Sequence, residues 1–207
     1  MIEVSLYSVQ GTDPSVMVGR CVARSRFDQE TMGINVMEFT KGFLRNNLDT
    51  LEGAISSSEL SSFLNSDSTM TTRDFASISY LLAQVGYKVT IWNVADDEDN
   101  AAGVPDGDVV EWNVIDHNFI QGDYPTTTKI LPSEEETIGN TVTKIVEQSG
   151  LFDEDKFSGI RNPFKSLLLS LKQTAEVTGS IQGSSVTQIY ALLKQMGIEI
   201  FCALSEA

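Results

Sequence analysis

The chain's single histidine, His117, lies in IDHNF, and any imidazole chemistry depends on it alone. A Ser-His-Asp triad needs a carboxylate behind that ring and a serine in front of it. Asp116 is adjacent, but neighbours on a strand point to opposite faces, and no Gly-x-Ser-x-Gly elbow occurs. His117 therefore reads as a surface or strand-end residue. The two cysteines, Cys21 in VGRCVA and Cys202 in IFCAL, sit among apolar residues and read as reduced, buried thiols. The acidic stretch ADDEDNAAGVPDGD (95–108) invites a calcium reading. A calcium loop, however, needs regularly spaced ligands, a glycine at the bend and a distal bidentate glutamate. Asp97-x-Asp99 is followed by Ala101 and Ala102, and Asp106-Gly107-Asp108 is too short alone, so a solvated loop is the better reading. Gly179 to Ser185 could offer backbone amides to an anion, but it lacks the Lys-Ser/Thr step and the preceding strand of a phosphate loop. It reads as a loop with a helix cap. No dinucleotide fingerprint and no Cys-x-x-Cys occurs. No catalytic residue, no cofactor site and no metal site is assigned.

The surrounding composition is that of an ordinary folded protein. In 207 residues, 41% are hydrophobic and 21% charged, which supports a packed core. No apolar run approaches the roughly 20 residues a membrane helix needs. MIEVSLYSV carries Glu3 early and no basic leader, which suggests a cytoplasmic protein. The net charge of −15 opposes the counterion release that drives non-specific DNA binding. Direct nucleic-acid binding is not expected.

The elements that must position these residues follow from periodicity and caps. Residues 2–9 and 16–24 alternate around the turn-like GTDPS and predict a β-hairpin. Residues 34–47 suit a helix. Ser56–Glu59 and Thr71–Asp74 read as capping boxes that start two helices. Phe75, Ile78, Leu81, Leu82 and Val85 then share one helical face, and Gly86 closes that helix in the left-handed conformation. Val89, Ile91 and Val94 follow with strand-like spacing, VVEWNVID (109–116) reads as a strand, and the two could form a hairpin across the acidic loop. Strand-to-loop character runs on to about residue 132. Ser133–Glu136 caps a helix to about Ser149, Pro163 opens another to about 177, and Ser185–Gln188 caps the last. Gly197 ends it before a final strand, IEIFCAL.

SYLLAQVGYKVTIW (79–92) and YALLKQMGIEIFCA (190–203) match when Gly86 is set on Gly197. The match pairs Phe75 with Val186, Ile78 with Ile189, Leu82 with Leu193 and Val89 with Ile200. One reading is an internal duplication about a pseudo-twofold axis. The other is that a capped amphipathic helix feeding a strand is a common unit shaped twice by the same physics. By order of elements, residues 57–116 also resemble the winged-helix DNA-binding fold. That resemblance implies a recognition helix at 71–86 and a wing at 95–108. Arg73 is the only basic residue on that helix and the wing carries Asp96, Asp97, Glu98, Asp99 and Asp106, so such a fold would bind protein.

The expected fold class is α+β, with helix-turn-helix-strand units, possible duplication and antiparallel hairpins. The expected halves are 1–116 and 117–207. The expected function is that of a non-enzymatic structural or interaction protein, a subunit of a larger assembly such as a virus particle. The alternative is an acidic regulatory protein on a degenerate winged helix, or a nucleic-acid mimic. Partners would be other protein subunits, including copies of the chain. Tyr87, Trp92, Trp112, Asp96, Asp97 and Asp99 are the interface candidates, since aromatics concentrate at binding hot spots.

Overall fold

The computed structural model describes residues 1–10, 18–52, 58–93, 110–117, 123–130, 173, 191, 194–195 and 197–204. Among the described residues, six strands form a closed mixed barrel: β1 (Ile2–Gln10), β2 (Val18–Phe27), β3 (Tyr87–Asn93), β4 (Val110–Asp116), β5 (Thr126–Ile130) and β6 (Ile198–Leu204), in the order β1-β2-β6-β4-β5-β3. Between β2 and β3 the described residues form five helices: α1 (Gln29–Met32), α2 (Val36–Asn46), α3 (Leu48–Glu52), α4 (Ser58–Asn65) and α5 (Thr72–Gln84). The class is α+β, as the sequence indicates. Closing the sheet leaves none of the described strands as an open edge.

Each end of the chain supplies a three-stranded antiparallel set. β1 lies between β2 and β3 and pairs antiparallel with both. β4 lies between β5 and β6 and pairs antiparallel with both. The two sets are joined by parallel pairs, β2 with β6 and β3 with β5. Strand pairing therefore groups β4 with the C-terminal strands. The hairpin expected between β3 and β4 does not form, and with it goes the pairing a wing would need. Both edges of β3 are taken, by β1 and β5, so β3 and β4 are not neighbours although they follow one another in sequence.

The alternation of β1 serves two environments. Ile2, Val4 and Leu6 are buried in the main apolar cluster with Leu44, Leu64, Phe75 and Leu82 from the helices. Glu3, Ser5 and Tyr7 point the other way and are also fully buried. They contact residues on β4 and β5, which are not neighbours of β1, so they face the barrel interior.

Local chemistry fixes the helices. Asn35 caps α2 by accepting from the Glu38 amide at 2.8 Å. Thr71 and Asp74 form the capping box that opens α5, with the Thr71 amide donating to Asp74 Oδ2 at 2.9 Å. Phe75, Ile78 and Leu82 of α5 are buried, one turn apart on one face. Lys41 is buried, and its ammonium donates to the Ser66 carbonyl (2.7 Å) and to the Ser68 carbonyl just beyond α4, where helix carbonyls lack partners. Gly86 (φ 85°) and Gly197 (φ 78°) take the left-handed conformation. Each carbonyl then accepts an amide: Val9 N on β1 donates to Gly86 O at 2.7 Å, and His117 N, just past β4, to Gly197 O at 2.8 Å. The expected helices at 133–149, 163–177 and 185–197 fall largely or wholly outside the described residues.

Candidate functional site

The barrel interior concentrates ionisable groups. Glu3 and Glu111 are fully buried, and Lys129 is nearly so, with its ammonium 3.5 Å from a carboxylate oxygen of each. Arg24 reaches both carboxylates, at 3.3 Å from Glu3 and 3.4 Å from Glu111. Arg26 adds a 2.8 Å bond to Glu3. The Tyr7 hydroxyl donates to Glu111 and accepts from Lys129. The Lys129 ammonium also lies 4.8 Å from the centre of the Tyr7 ring and 5.8 Å from Trp92, so two aromatic faces complete its surroundings.

Strand register explains the gathering. Glu3 sits opposite Arg26 on β2 and Trp92 on β3, while Ser5 sits opposite Arg24. Asn113 on β4 sits opposite Lys129 on β5. The cluster thus repeats around the barrel: Glu3, Ser5 and Arg24 from one set face Glu111, Asn113 and Lys129 from the other.

Burial raises the cost of charge here, and the partners offset it. Burial alone would push the Glu3 carboxyl up, but Lys129, Arg24 and Arg26 together hold it below its ordinary value. Burial pushes Lys129 down, against the pull of Glu111 and Glu3. Tyr7 is driven well up by burial and by the Glu111 carboxylate, so its phenol stays protonated as a donor. Burial likewise raises the Cys21 thiol, which is free and does not ionise readily. Every charged group in the cluster is committed to another, which suits a scaffold more than a reaction.

A second site lies where the barrel is least tightly closed. Among the described residues, β3 and β5 are joined by the single pair Trp92–Thr127. Below that pair a cleft of about 580 Å³ opens between the strands and α5. Its walls include Phe75, Ala83, Val89, Ile91, Ile115 and Pro125. Three hydroxyls on it, Ser79 Oγ, Thr90 Oγ1 and Thr127 Oγ1, are buried and have no hydrogen-bond partner. At one end stand Lys88, His117, Glu199 and Lys194. Glu199 binds the Lys88 ammonium and accepts a 2.9 Å contact from His117 Nε2. Burial opposes ionisation of Glu199, but His117 and Lys88 outweigh it and hold the carboxyl down at about 2.

The interface candidates are scattered. Trp92 is 7% exposed and turned into the barrel over Lys129, so an incoming partner cannot reach it. Tyr87 is half-buried against the main core. Trp112 lies on β4 opposite Ile130 and Cys202. Asp96, Asp97 and Asp99 lie outside the described residues. His117 is a strand-end residue, as expected, but it pairs with Glu199 at the cleft. Sequence reasoning missed Glu3, Glu111, Arg24 and Lys129. The available signal was the polar half of the strand alternation, which looks the same whether it faces water or a barrel interior. It also missed Thr90 and Thr127, which resemble any strand threonine.

No described helix is long and apolar enough to cross a membrane. Among the described residues, no group of three or more His, Cys, Asp or Glu is placed to hold a metal ion. Comparison of the chain with protein-family models, with curated proteins and with solved structures found no match.

Proposed function

We propose that this chain is a non-enzymatic structural protein, a subunit that assembles with copies of itself through the C-terminal end of α5. The observation that carries the reading is an apolar cluster left in water. Tyr80 is 67% exposed, Leu81 44% and Val85 39%, and they lie within two turns of one another. Large apolar side chains scattered singly on a surface are ordinary, whereas a contiguous group points to contact with another surface. A patch of this kind on each copy can meet its equivalent about a twofold axis, so the chain supplies both halves of the contact. An assembly such as a virus particle is one setting for a subunit of this acidic, His-poor character. The committed state of the barrel's ionisable groups supports a scaffold role over catalysis.

The net charge of −15 sets the conditions. At low salt two such copies repel one another. At physiological ionic strength the Debye length falls to about 8 Å and the apolar contact is opposed less. Association should therefore grow with salt, the opposite of an ion-paired interface.

The two strand sets also support the duplication reading. Setting Gly86 on Gly197 carries β3 onto β6, and the paired bonds from Val9 and His117 to these glycines are equivalent. The Glu3/Arg24 and Glu111/Lys129 pairs then become two versions of one interior motif. We read the six strands as two copies of one three-stranded antiparallel unit, β1, β2 and β3 matching β4, β5 and β6.

Hydrogen exchange tests the contact. Amides of residues 80–85 should exchange more slowly at high protein concentration than at low. Identical exchange at both concentrations would remove α5 from the proposed contact.

A further inference from the structure

We infer that the cleft between β3, β5 and α5 binds a small amphipathic monocarboxylate whose apolar body carries a hydroxyl or carbonyl group. The inference does not rest on assembly through α5, although Tyr80 borders both the cleft and that contact. It rests first on the three unpartnered hydroxyls. Thr90 is 1% exposed and Thr127 4%, and both line a space large enough for an organic ligand. A buried polar group without a partner is costly, and native proteins keep few of them unless something else satisfies them. Here Ser79, Thr90 and Thr127 lie on one cleft.

Charge supplies the second argument. Among the described residues, the cleft end holds Lys88 and Lys194 against one carboxylate, Glu199. Glu199 engages both Lys88 and His117, on a chain that carries −15 overall. The Lys194 ammonium has no ion-pair partner among the described residues, whereas Lys88 is taken by Glu199. The ammonium that Glu199 does not engage, Lys194, matches one carboxylate. A phosphate ester, with up to two charges, would leave part of its charge uncompensated against these walls.

The walls give the third argument. Phe75, Val89, Ile91 and Ile115 present hydrocarbon, and the volume lies within the range of roughly 300–1,000 Å³ typical of small-molecule sites. Apolar burial would hold the body of the ligand, Lys194 its carboxylate, and the threonine hydroxyls its oxygen substituent. The hydroxyls can donate or accept, so they suit either a hydroxyl or a carbonyl.

Titration calorimetry with four probes tests this: hydroxydecanoate, decanoate, decanol and decylamine. Hydroxydecanoate should bind with Kd below about 0.1 mM, decanoate more weakly, and decanol and decylamine at least about tenfold more weakly still. Lys194→Met, a change at an exposed residue, should weaken both carboxylates by about tenfold or more and leave decanol unchanged. Thr127→Val should fold as well as the parent, because its hydroxyl makes no internal bond, and should erase the preference for hydroxydecanoate over decanoate. The proposal is overturned if no probe saturates, if decylamine binds as well as the carboxylates, or if Lys194→Met has no effect. It is also overturned if Thr127→Val destabilises the unliganded fold while leaving all binding unchanged, which would mean that the hydroxyl holds ordered water only.

Discussion

Replacing Glu111 by glutamine should cost more stability than removing its cationic partner Lys129. Among the described residues, three cations, buried Lys129 and the partly exposed Arg24 and Arg26, meet two buried carboxylates, Glu3 and Glu111. Lys129→Met leaves two against two. Glu111→Gln leaves three against one and strands an almost fully buried ammonium with a share of Glu3 alone. Breaking a buried pair in this way costs about 3–5 kcal/mol. The folded variant can limit the loss by releasing the Lys129 proton. From an unfolded value near 10.4, that release costs about 4–5 kcal/mol at pH 7, at about 1.4 kcal/mol per unit. The sign follows from linkage. A lysine neutral in the folded state and charged in the unfolded state makes stability rise with pH up to the unfolded value. Glu111→Gln should therefore lose about 3–5 kcal/mol at pH 7 and recover up to about 1.4 kcal/mol per unit between pH 7 and 9. Urea unfolding read by tryptophan fluorescence measures both, since Trp92 lies beside the ammonium. The double variant Glu111→Gln/Lys129→Met should be more stable than Glu111→Gln alone. A loss below about 1 kcal/mol that does not change with pH, or a Lys129→Met variant less stable than Glu111→Gln, would refute the reasoning.

Other consequences are narrower. Glu199, held down at about 2, contributes stability that is present above the unfolded carboxylate range and is lost as pH falls from about 4 to about 2; Glu199→Gln should flatten the melting temperature across that window. Thr71→Ala removes the capping box of α5 and should cost about 0.5–2 kcal/mol in urea unfolding. Gly86→Ala places a methyl 3.2 Å from the Val9 carbonyl at φ 85°, whereas Gly33→Ala at φ 66° meets open space. The first should cost about 1–3 kcal/mol and clearly more than the second by the same assay. Leu82→Ala, in the fully buried face of α5, should cost about 2–5 kcal/mol.

Local features of this fold could be read from the chain, and non-local ones could not. The β1–β2 hairpin follows from alternation around GTDPS, and the Thr71–Asp74 box, Gly86 and Gly197 announce themselves through residue type. Each depends on neighbours in sequence. The partners of β3 do not: β1 and β5 claim its edges because closure buries both faces of the strands, and nothing in ADDEDNAAGVPDGD reveals that. The same closure makes Glu3, Glu111 and Lys129 interior residues, although their placement opposite apolar neighbours matches a solvated face. Leu81 and Val85 show the converse. Their spacing fits the buried stripe of Phe75, Ile78 and Leu82, yet the stripe is narrower than the periodicity suggests, and they face water. The cleft depends on where two parallel strands diverge, a property of barrel register that one strand's sequence does not carry.

The most direct test of the account is the mass in solution, by light scattering after size exclusion, of the parent chain and of Leu81→Ser at low and moderate salt. Leu81 is 44% exposed, so its replacement should leave folding within about 0.5 kcal/mol of the parent. The account predicts a parent chain that moves from monomer toward a defined oligomer as salt is raised, and a Leu81→Ser variant that stays monomeric throughout. A monomeric parent at both salts, or an oligomer indifferent to Leu81→Ser, would contradict it.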